Sequence, residues 1–424
     1  ESQIRQQFVT DSIAAVKSKL IESKVLDSNA VTLNSSVTGD SATYMIPEKK
    51  TVLENEDVAI TFSNKGGHPT KVELKKFKTF DGKPLILLDG ELNTMDFSFK
   101  TTNGFMQHSK SMMLTDSVDI SSRSIYYTCN DMQIAYTLPE KGYMLQLKAM
   151  PFTADKSQAI QLDWNEQSFM TEQDVESQKL YTQVCYNLEK EGYDFYTIQE
   201  KETKEFKEPL KWLAFKQHYF STILLPAPKL MHSAKVTSEI KVDTNTKALS
   251  IFQSSLQLNP VHSLDFQLYV GPNNYGVLKS YKQDLQEIIP LSYGIFGFVK
   301  YINTWLIIPI FNWLSSLFSS YGVVILLLTF IIRLLMSPFT YKSYVSSAKM
   351  KALKPELDEL REKMGDDKQA YGVEQMKLYR QAGVNPLGGC LPALLQLPVF
   401  FALLSFFPHA IELRQQKFLV RFLL

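Results

Sequence analysis

Residues 321–337 read YGVVILLLTFIIRLLMS, and this stretch decides the fold of the C-terminal part of the chain. It contains seventeen residues and one charge, that of Arg333. Further along, residues 387–407 read LGGCLPALLQLPVFFALLSFF and contain no charge. Helices of this length cross a hydrocarbon core of roughly 30 Å. The sequence therefore predicts an α-helical membrane domain over 321–424, with spans at about 321–337 and 387–407.

A third apolar run, residues 302–318, is ambiguous between a span and a helix that lies in the membrane surface. It is uncharged, but it contains Trp305 and Trp313, and tryptophan favours the headgroup level. The following loop, 338–386, carries nine Lys and Arg residues, which favours a cytoplasmic location. The domain before this run is expected to be extracytoplasmic. It and the loop lie on opposite sides of the membrane if 302–318 does not span, and on the same side if it does. We therefore expect an interfacial amphipathic helix within a linker, 281–320.

Within the basic loop, the apolar residues follow the pattern of two short amphipathic helices. Leu353, Leu357 and Met364 repeat at helical spacing, and Gly365 interrupts the repeat before it resumes. This pattern predicts a cytoplasmic helical hairpin over 343–382. Its apolar side either packs the two helices on each other or receives a partner, and the sequence alone does not separate the two.

The part of the chain before the linker has the pattern of short strands. Larger apolar residues occupy every second position from Val58 to Phe62, and apolar residues do so again from Tyr143 to Ala149. Turn residues separate such runs, which is typical of an antiparallel β-sandwich. We predict an extracytoplasmic sandwich over 51–280.

Two stretches of this part have a different pattern. Residues 1–50 are expected to form an N-terminal lead-in that is helical over 1–30, and the charged stretch 189–207 is expected to be a solvated excursion between strands. The chain begins at Glu1 without an apolar leader, so we expect a removed signal segment or a start downstream of one.

The polar residues of the predicted spans suggest a site inside the membrane. A charged side chain at this depth normally faces the bundle interior or a wet cavity, and the alternative for Arg333 is to reach the headgroups. Thr329 lies one turn earlier on the same helix face, and Gln396 is the amide of the second span. Together they predict a positively charged groove, open to the cytoplasm, for a hydrophilic substrate segment. Neither span contains Asp or Glu, and the chain has no P-loop, so a proton-coupled or ATP-driven pump is not expected.

Composition and motifs exclude several other classes of function. The 424 residues carry a net charge of +1, so nucleic-acid recognition is not expected. The cysteines form no CxxC pair and the six histidines show no metal-ligand spacing, so no metal or cofactor is expected. Cys129 and Cys185 could pair if their domain is extracytoplasmic, which the sequence leaves open. No catalytic residues are assigned, although His218 is the best single candidate for one in the sandwich.

Several motifs resemble those of the YidC family of membrane protein insertases. In the predicted sandwich they are ITFSNKGGHP from Ile60, WLAFKQHYFST from Trp212 and YVGP from Tyr269. More specific are the run LTFIIRLLMSPFTYKSYVSSAKMKALKPELDELREKMGDDKQ at 328–369, NPLGGCLPALLQLPVFFALL at 385–404 and IELRQ at 411–415. The resemblance covers about 50–418.

The resemblance implies a fold, a location and partners. The soluble part would be a periplasmic β-super-sandwich, and the chain would lie in the inner membrane of a Gram-negative bacterium. Arg333 matches the groove arginine of the family and Thr329 a groove position near it. The helices of 343–382 match those that receive substrate from the ribosome or the Sec translocon. Family members also have an N-terminal anchor span and three further spans, so we expect this chain to be part of a longer protein or to be completed by another polypeptide.

Three hypotheses of different classes follow. The first is a non-enzymatic insertase and chaperone that receives hydrophilic segments of nascent membrane proteins and releases their spans into the lipid bilayer. The second is a membrane-anchored carbohydrate-processing sandwich enzyme, which would need His218. The third is an assembly scaffold that acts through the soluble domain. The charge at Arg333 favours the first.

Overall fold

The computed structural model describes residues 47–292, 294–365, 367–383 and 391–416. Strands occupy the chain from Lys50 to Pro272, and the longer helices follow them. The prediction of an antiparallel sandwich followed by a helical region is therefore confirmed. The lead-in predicted over 1–50, including its helical part at 1–30, lies outside the described residues up to residue 46.

Short antiparallel strands make up the sandwich. Those of the described residues are β1 (Lys50–Glu54), β2 (Val58–Ser63), β3 (His68–Lys78), β4 (Pro84–Asp89), β5 (Thr94–Lys100), β6 (Met106–His108), β7 (Thr115–Asp119), β8 (Ser124–Thr128), β9 (Met132–Thr137), β10 (Met144–Pro151), β11 (Ile160–Phe169), β12 (Gln183–Leu188), β13 (Gly192–Thr197), β14 (Glu202–Phe206), β15 (Leu210–Lys216), β16 (Phe220–Pro226), β17 (Met231–Asp243), β18 (Ala248–Leu258) and β19 (Leu264–Pro272).

These strands form three sheets. A nine-stranded sheet has the order β13-β12-β15-β16-β19-β10-β9-β8-β7. A six-stranded sheet has the order β14-β17-β18-β11-β5-β6, and a four-stranded sheet has β1-β2-β3-β4. One face of the nine-stranded sheet covers both of the others. Phe215 of that face stacks on Trp164 of the six-stranded sheet at 4.1 Å, and Tyr136 packs on Phe62 of the four-stranded sheet at 4.5 Å between ring centroids.

The alternation in the sequence explains which residues enter this core. In β10, Leu145, Leu147 and Ala149 are fully buried while Gln146 and Lys148 are exposed. Large aromatic side chains supply much of the apolar area of such a core, at about 150–250 Å² each. The predicted face of this strand is therefore confirmed.

The charged stretch 189–207 was predicted as an excursion between strands, and this prediction is wrong. It contains β13, at the edge of the nine-stranded sheet, and β14, at the edge of the six-stranded sheet. Edge strands of natural proteins carry charged residues because these discourage pairing with other chains. The high charge of the stretch thus reflects its place at two sheet edges.

The helices of the described residues are α1 (Val175–Leu180), α2 (Tyr275–Ser280), α3 (Val299–Ile302), α4 (Ile308–Leu317), α5 (Tyr321–Ala352), α6 (Lys354–Met364), α7 (Lys368–Gln381) and α8 (Leu391–Phe406). Single 3₁₀ turns occur at Ser109–Ser111, Leu285–Ile288, Gly294–Phe296, Phe407–His409 and Ile411–Leu413.

The helix α5 is longer than the span predicted at 321–337, because it continues through Pro338 to Ala352. A proline inside a helix removes the hydrogen bond to the carbonyl four residues earlier. Here that carbonyl belongs to Leu334, and it accepts a bond from Ser337 Oγ at 2.8 Å instead. The serine thus satisfies the group that the proline leaves unpaired.

Two short helices lie within 343–382, the range of the predicted hairpin, but the first of them does not begin at residue 343. Residues 343–352 belong to α5, and the hairpin consists of α6 and α7. Gly365 ends α6 with φ +53°, a conformation that glycine adopts without the strain of a Cβ. Asp367 caps α7, because its carboxylate accepts from the backbone N–H groups of Gln369 and Ala370.

The run predicted as an interfacial helix, 302–318, is helical up to Leu317. A π turn at Asn303–Ile307 joins α3 to α4, and we call the whole segment, 299–317, the amphipathic helix. Phe311 of this helix contacts Tyr321 of α5 and Phe406 of α8, at ring-centroid distances of 6.0 and 5.1 Å. The amphipathic helix therefore lies against one end of each apolar helix.

Candidate functional site

Arg333 and Thr329 lie one turn apart on α5, next to the face with which this helix packs. The packed face consists of Val324, Leu328 and Ile332, which are buried. Thr329 and Arg333 each follow one of these residues by one position, so both are exposed at the border of the packed face. The structure thus brings these two predicted site residues together.

The surroundings of Arg333 are apolar. Phe330 and Leu334 are neighbouring side chains on the helix surface, 63% and 59% exposed. Within the described part of the chain, no hydrogen bond or ion pair engages the Arg333 guanidinium, and Thr329 Oγ1 donates to the carbonyl of Ile325 at 2.8 Å. Placing an arginine side chain at the centre of a membrane-spanning helix costs at least about 2.5 kcal/mol of insertion free energy. The arrangement therefore offers a positive charge that the described residues leave unpaired.

Gln396, the third predicted site residue, lies on α8. Its side chain is exposed, between the exposed Leu394 and Leu397. Among the described residues no hydrogen bond joins Gln396 to Thr329 or Arg333, so the structure does not bring it to them directly. Its place in the groove stays a prediction.

In the described residues, one helix is long and apolar enough to cross a membrane, and that helix is α5. The sixteen residues of α8 span about 24 Å at 1.5 Å per residue, less than the roughly 30 Å of a hydrocarbon core. Residues 384–390, which begin the predicted second span, lie outside the described residues. That α8 belongs to a second span therefore stays a prediction.

His218, the residue that a sandwich enzyme would need, is accounted for by structural contacts. It is 8% exposed and lies between the rings of Tyr181 and Tyr219, with centroid distances of 4.1 and 3.9 Å. Its Nε2 donates to the carbonyl oxygen of Pro408 at 2.9 Å. Burial, together with the charge of His409 nearby, lowers the pKa of His218 to about 3. The ring is thus a neutral packing and hydrogen-bonding group.

The two cysteines of the sandwich are both free. Cys185 is fully buried beside the Tyr193 hydroxyl, and burial raises the pKa of its thiol to about 11. Cys129 is half-buried, and its Sγ lies 3.8 Å from Met112 Sδ. The pairing that the sequence left open does not occur. No group of three or more metal-ligating side chains occurs among the described residues.

Sequence reasoning missed the residues that join the sandwich to the helices. Arg414 is the clearest of them, because its side chain is 4% exposed and its Nε lies 2.7 Å from Glu172 Oε1 of the sandwich. Asn303 is fully buried and bonds both Leu291 O and Ser405 Oγ, at 2.8 and 2.9 Å. Two features of the sequence could have pointed to these residues. Asn303 is a polar residue in the apolar run 302–318, and Arg414 belongs to a charged motif directly after the last apolar run.

The chain was compared with protein families and with curated proteins. The family model described as YidC periplasmic domain matches residues 50–312, and the one described as 60Kd inner membrane protein matches 313–423. The membrane protein insertase YidC of Amoebophilus asiaticus is 36% identical over 391 residues, which cover 88% of this chain and 65% of that protein. The one of Phocaeicola vulgatus is 32% identical over 445 residues, covering 99% of this chain and 71% of that protein.

Among solved structures, the active YidC insertase with its first transmembrane domain resolved is 19% identical and has a TM-score of 0.33. The match covers 87% of this chain and 73% of that one. The present chain thus spans about two thirds of the length of the Amoebophilus relative. Because one family model matches more than half of the residues and the Phocaeicola relative is 32% identical over most of its length, the chain belongs to the YidC family of membrane protein insertases.

Proposed function

We propose that the chain is a membrane insertase that receives the hydrophilic segments of nascent membrane proteins in an intramembrane groove. The groove carries the positive charge of Arg333, is open toward the cytoplasm, and includes Thr329 and Gln396. It lowers the free-energy barrier for a polar segment by offering water and charge within the membrane. No bond is made or broken, and the apolar span of the substrate then moves from the groove into the lipid bilayer.

The observation that carries this proposal is the position of Arg333. It lies twelve residues beyond Tyr321, about 18 Å along the axis of α5. This helix is the one described element that is long and apolar enough to span. Charged residues inside a span usually mark a substrate or ion path, because burying the charge in lipid is unfavourable. An exposed guanidinium without a partner among the described residues fits such a path.

The family also supports a location and a division of roles along the chain. We propose that the chain is a multi-pass protein of the bacterial inner membrane, with the sandwich, 51–280, in the periplasm. Residues 281–320 serve as linker and interfacial helix, and 321–424 as the insertase core. The hairpin 343–382 is the surface that meets the ribosome or the Sec translocon.

Complementation of an insertase-depleted bacterium with the full-length protein tests the proposal. We expect Arg333→Ala to abolish growth and Arg333→Lys to restore it, because Lys keeps a positive charge at the same depth. Lys342→Ala is the matched control, since Lys342 is an exposed cation of the same helix, nine residues beyond Arg333. Expression of each variant is checked by immunoblot. Normal growth with Arg333→Ala would contradict the proposal.

A further inference from the structure

After α8 the chain leaves the apolar helix and lies along the sandwich. Residues 405–415, which we call the docking segment, include the 3₁₀ turns Phe407–His409 and Ile411–Leu413. Side-chain hydrogen bonds connect this segment with the amphipathic helix, with the linker before it, and with several regions of the sandwich. The contacts lie at both of its ends and in its middle.

At the first end, Asn303 joins three elements at one buried point. Its Nδ2 donates to Leu291 O of the linker at 2.8 Å and to Ser405 Oγ at 2.9 Å. Ser405 Oγ in turn lies 3.0 Å from the same Leu291 carbonyl. Asn303 and Ser405 are both fully buried. A π turn begins at Asn303, and such turns are frequent at functional positions.

At the other end, Arg414 holds the docking segment on the sandwich. Its Nε donates to Glu172 Oε1 at 2.7 Å, and its Nη2 donates to Thr171 O at 3.2 Å. The guanidinium carbon lies 5.2 Å from the ring centre of Phe220. The Arg414 side chain is 4% exposed and that of Glu172 is 17% exposed. Removing one partner of so buried a pair leaves the other charge uncompensated, which is strongly unfavourable.

Between these ends, two further bonds reach the sandwich. Glu412 Oε1 accepts from Asn274 Nδ2 at 2.7 Å, and Pro408 O accepts from His218 Nε2 at 2.9 Å. Asn274 also caps α2, because its Oδ1 accepts from the backbone N–H of Val277. The docking segment therefore rests on parts of the sandwich that are themselves fixed.

Among the described residues, the part of α5 beyond Arg333 buries few side chains. The packed face of α5 ends at Ile332, apart from Ser343, and the described residues of α6 and α7 include no buried side chain. The two apolar helices are thus held where they meet the sandwich and the amphipathic helix. Arg333 lies where the packed part of α5 ends.

We propose that Asn303 and Arg414 are positioning residues that set the spacing of α5 and α8 beside Arg333. They act through the docking segment, which fixes the end of α8 on the sandwich. Since the proposal concerns the geometry of the groove, it rests on the proposed insertase function. None of the bonds lies between the sheets of the sandwich, so removing them is expected to leave its core folded.

Access of water to the groove tests this proposal directly. The full-length protein carries Thr329→Cys as a reporter, with Cys129 and Cys390 replaced by Ser and Cys185 by Ala. The rate of reaction with a water-soluble maleimide is measured in proteoliposomes. We expect Arg414→Ala and Asn303→Ala to change this rate by about fivefold or more, which is the lower range of coupling between distant sites. Insertion of a model substrate is expected to fall in parallel.

Matched variants separate positioning from general destabilisation. Arg123→Ala removes an exposed arginine that lies 3.9 Å from Glu140, and Asn312→Ala removes an exposed asparagine of the amphipathic helix. Both are expected to react and insert like the wild type. Exchange of the charges, with Arg414→Glu and Glu172→Arg together, is expected to restore part of the insertion that either change alone removes. The fluorescence unfolding curve of the sandwich tryptophans is recorded for every variant.

The outcomes distinguish this inference from the proposed function. Unchanged labelling and insertion in Arg414→Ala and Asn303→Ala, with Arg333→Ala still inactive, overturn the positioning role and leave the insertase mechanism standing. Equal losses of sandwich stability and insertion, without rescue by the charge exchange, also overturn the positioning role. If Arg333→Ala inserts normally, the groove mechanism fails, whatever the docking variants do.

Discussion

His218 Nε2 donates a hydrogen bond to the carbonyl oxygen of Pro408, 190 residues further along the chain. The bond joins the nine-stranded sheet to the segment that follows α8. It requires a proton on Nε2, and the neutral ring supplies that proton when its other nitrogen is unprotonated. The histidine that a sandwich enzyme would use as a base is therefore a link between the sandwich and the helices.

This link predicts that acid weakens the folded state. Burial, with the charge of His409, lowers the pKa of His218 to about 3, and burial lowers that of His409 to about 4. The charge of Lys216 opposes a further positive charge on either ring, and that of Arg414 opposes one on His218. In the unfolded chain both histidines bind protons below pH 6.5. Their contribution to stability is therefore complete above pH 6.5 and is lost as the pH falls through 4 for His409 and toward 3 for His218.

Substitution of His218 measures that contribution. We expect His218→Gln to reduce the loss of unfolding free energy between pH 7.5 and pH 5 by about 1–2 kcal/mol, because Gln can donate to Pro408 O but does not titrate. Denaturant unfolding of the full chain in detergent, followed by tryptophan fluorescence, gives this difference. The exposed His232→Gln is the control, and an unchanged pH dependence in His218→Gln would contradict the argument.

Gly67, in the motif ITFSNKGGHP, predicts a second effect on stability. Its φ is +61°, and a Cβ built there would lie 3.0 Å from Leu114 Cδ1 and 3.1 Å from Tyr127 Cβ. Gly67→Ala therefore combines an unfavourable backbone conformation with a clash in the core, and we expect a loss of about 2–4 kcal/mol. Thermal unfolding of the full chain measures it.

Gly82 offers the control for this prediction. Its φ is +77°, but nothing lies within 4 Å of a Cβ built there. Gly82→Ala therefore introduces the backbone strain without the clash, and we expect about 1 kcal/mol. Equal losses in the two variants would show that packing around Gly67 does not add to the cost.

Much of the fold could be predicted because its signals are local. The alternation from Val58 to Phe62 marks a strand with one buried face, and its three large apolar residues, Val58, Ile60 and Phe62, are buried. The length and apolar character of 321–337 mark a helix in the same way. Such patterns involve residues close together in the sequence, so they can be recognised in one sequence without a structure.

The contacts of the docking segment could not be predicted, because they join residues far apart in the chain. Arg414 and Glu172 are 242 positions apart, and neither has a spacing that identifies the other. The continuation of α5 through Pro338 was missed for a different reason. Proline usually ends a helix, and here a single serine hydroxyl compensates for the lost hydrogen bond.

That compensation leads to a third prediction, on α5. Ser337→Ala removes the donor to Leu334 O, so the carbonyl loses its partner beside Pro338. We expect a loss of roughly 1 kcal/mol in unfolding free energy, the usual net value of one hydrogen bond. In the double variant Ser337→Ala, Pro338→Ala, the backbone N–H of residue 338 can donate to Leu334 O. We therefore expect the double variant to regain the unfolding free energy that Ser337→Ala loses. Unfolding in detergent measures both, and equal stability of the single variant and the wild type would count against the role of Ser337.

Glu166 supplies the last prediction, because it is a carboxyl group buried between two sheets. It is 2% exposed, its Oε1 accepts from Thr222 Oγ1 at 3.1 Å, and its Oε2 has no partner among the described residues. Burial raises the pKa of Glu166 to about 8, so the folded protein keeps its proton at neutral pH. The unfolded chain releases this proton near pH 4.5. Its contribution to stability is therefore complete below about pH 4.5 and is lost as the pH rises to 8.

Glu166→Gln should remove this pH dependence. The amide keeps the shape of the protonated carboxyl and its bond with Thr222, but it cannot ionise. We expect the variant to be as stable as the wild type at pH 5. At pH 8 we expect its unfolding free energy to be higher by a few kcal/mol at most, because each unit of pKa difference between the folded and unfolded states corresponds to about 1.4 kcal/mol. Glu140→Gln, at a side chain that is 70% exposed, serves as the control. If the wild type and Glu166→Gln lose stability in parallel from pH 5 to pH 8, the buried carboxyl is ionised in the folded state and water or a cation compensates its charge.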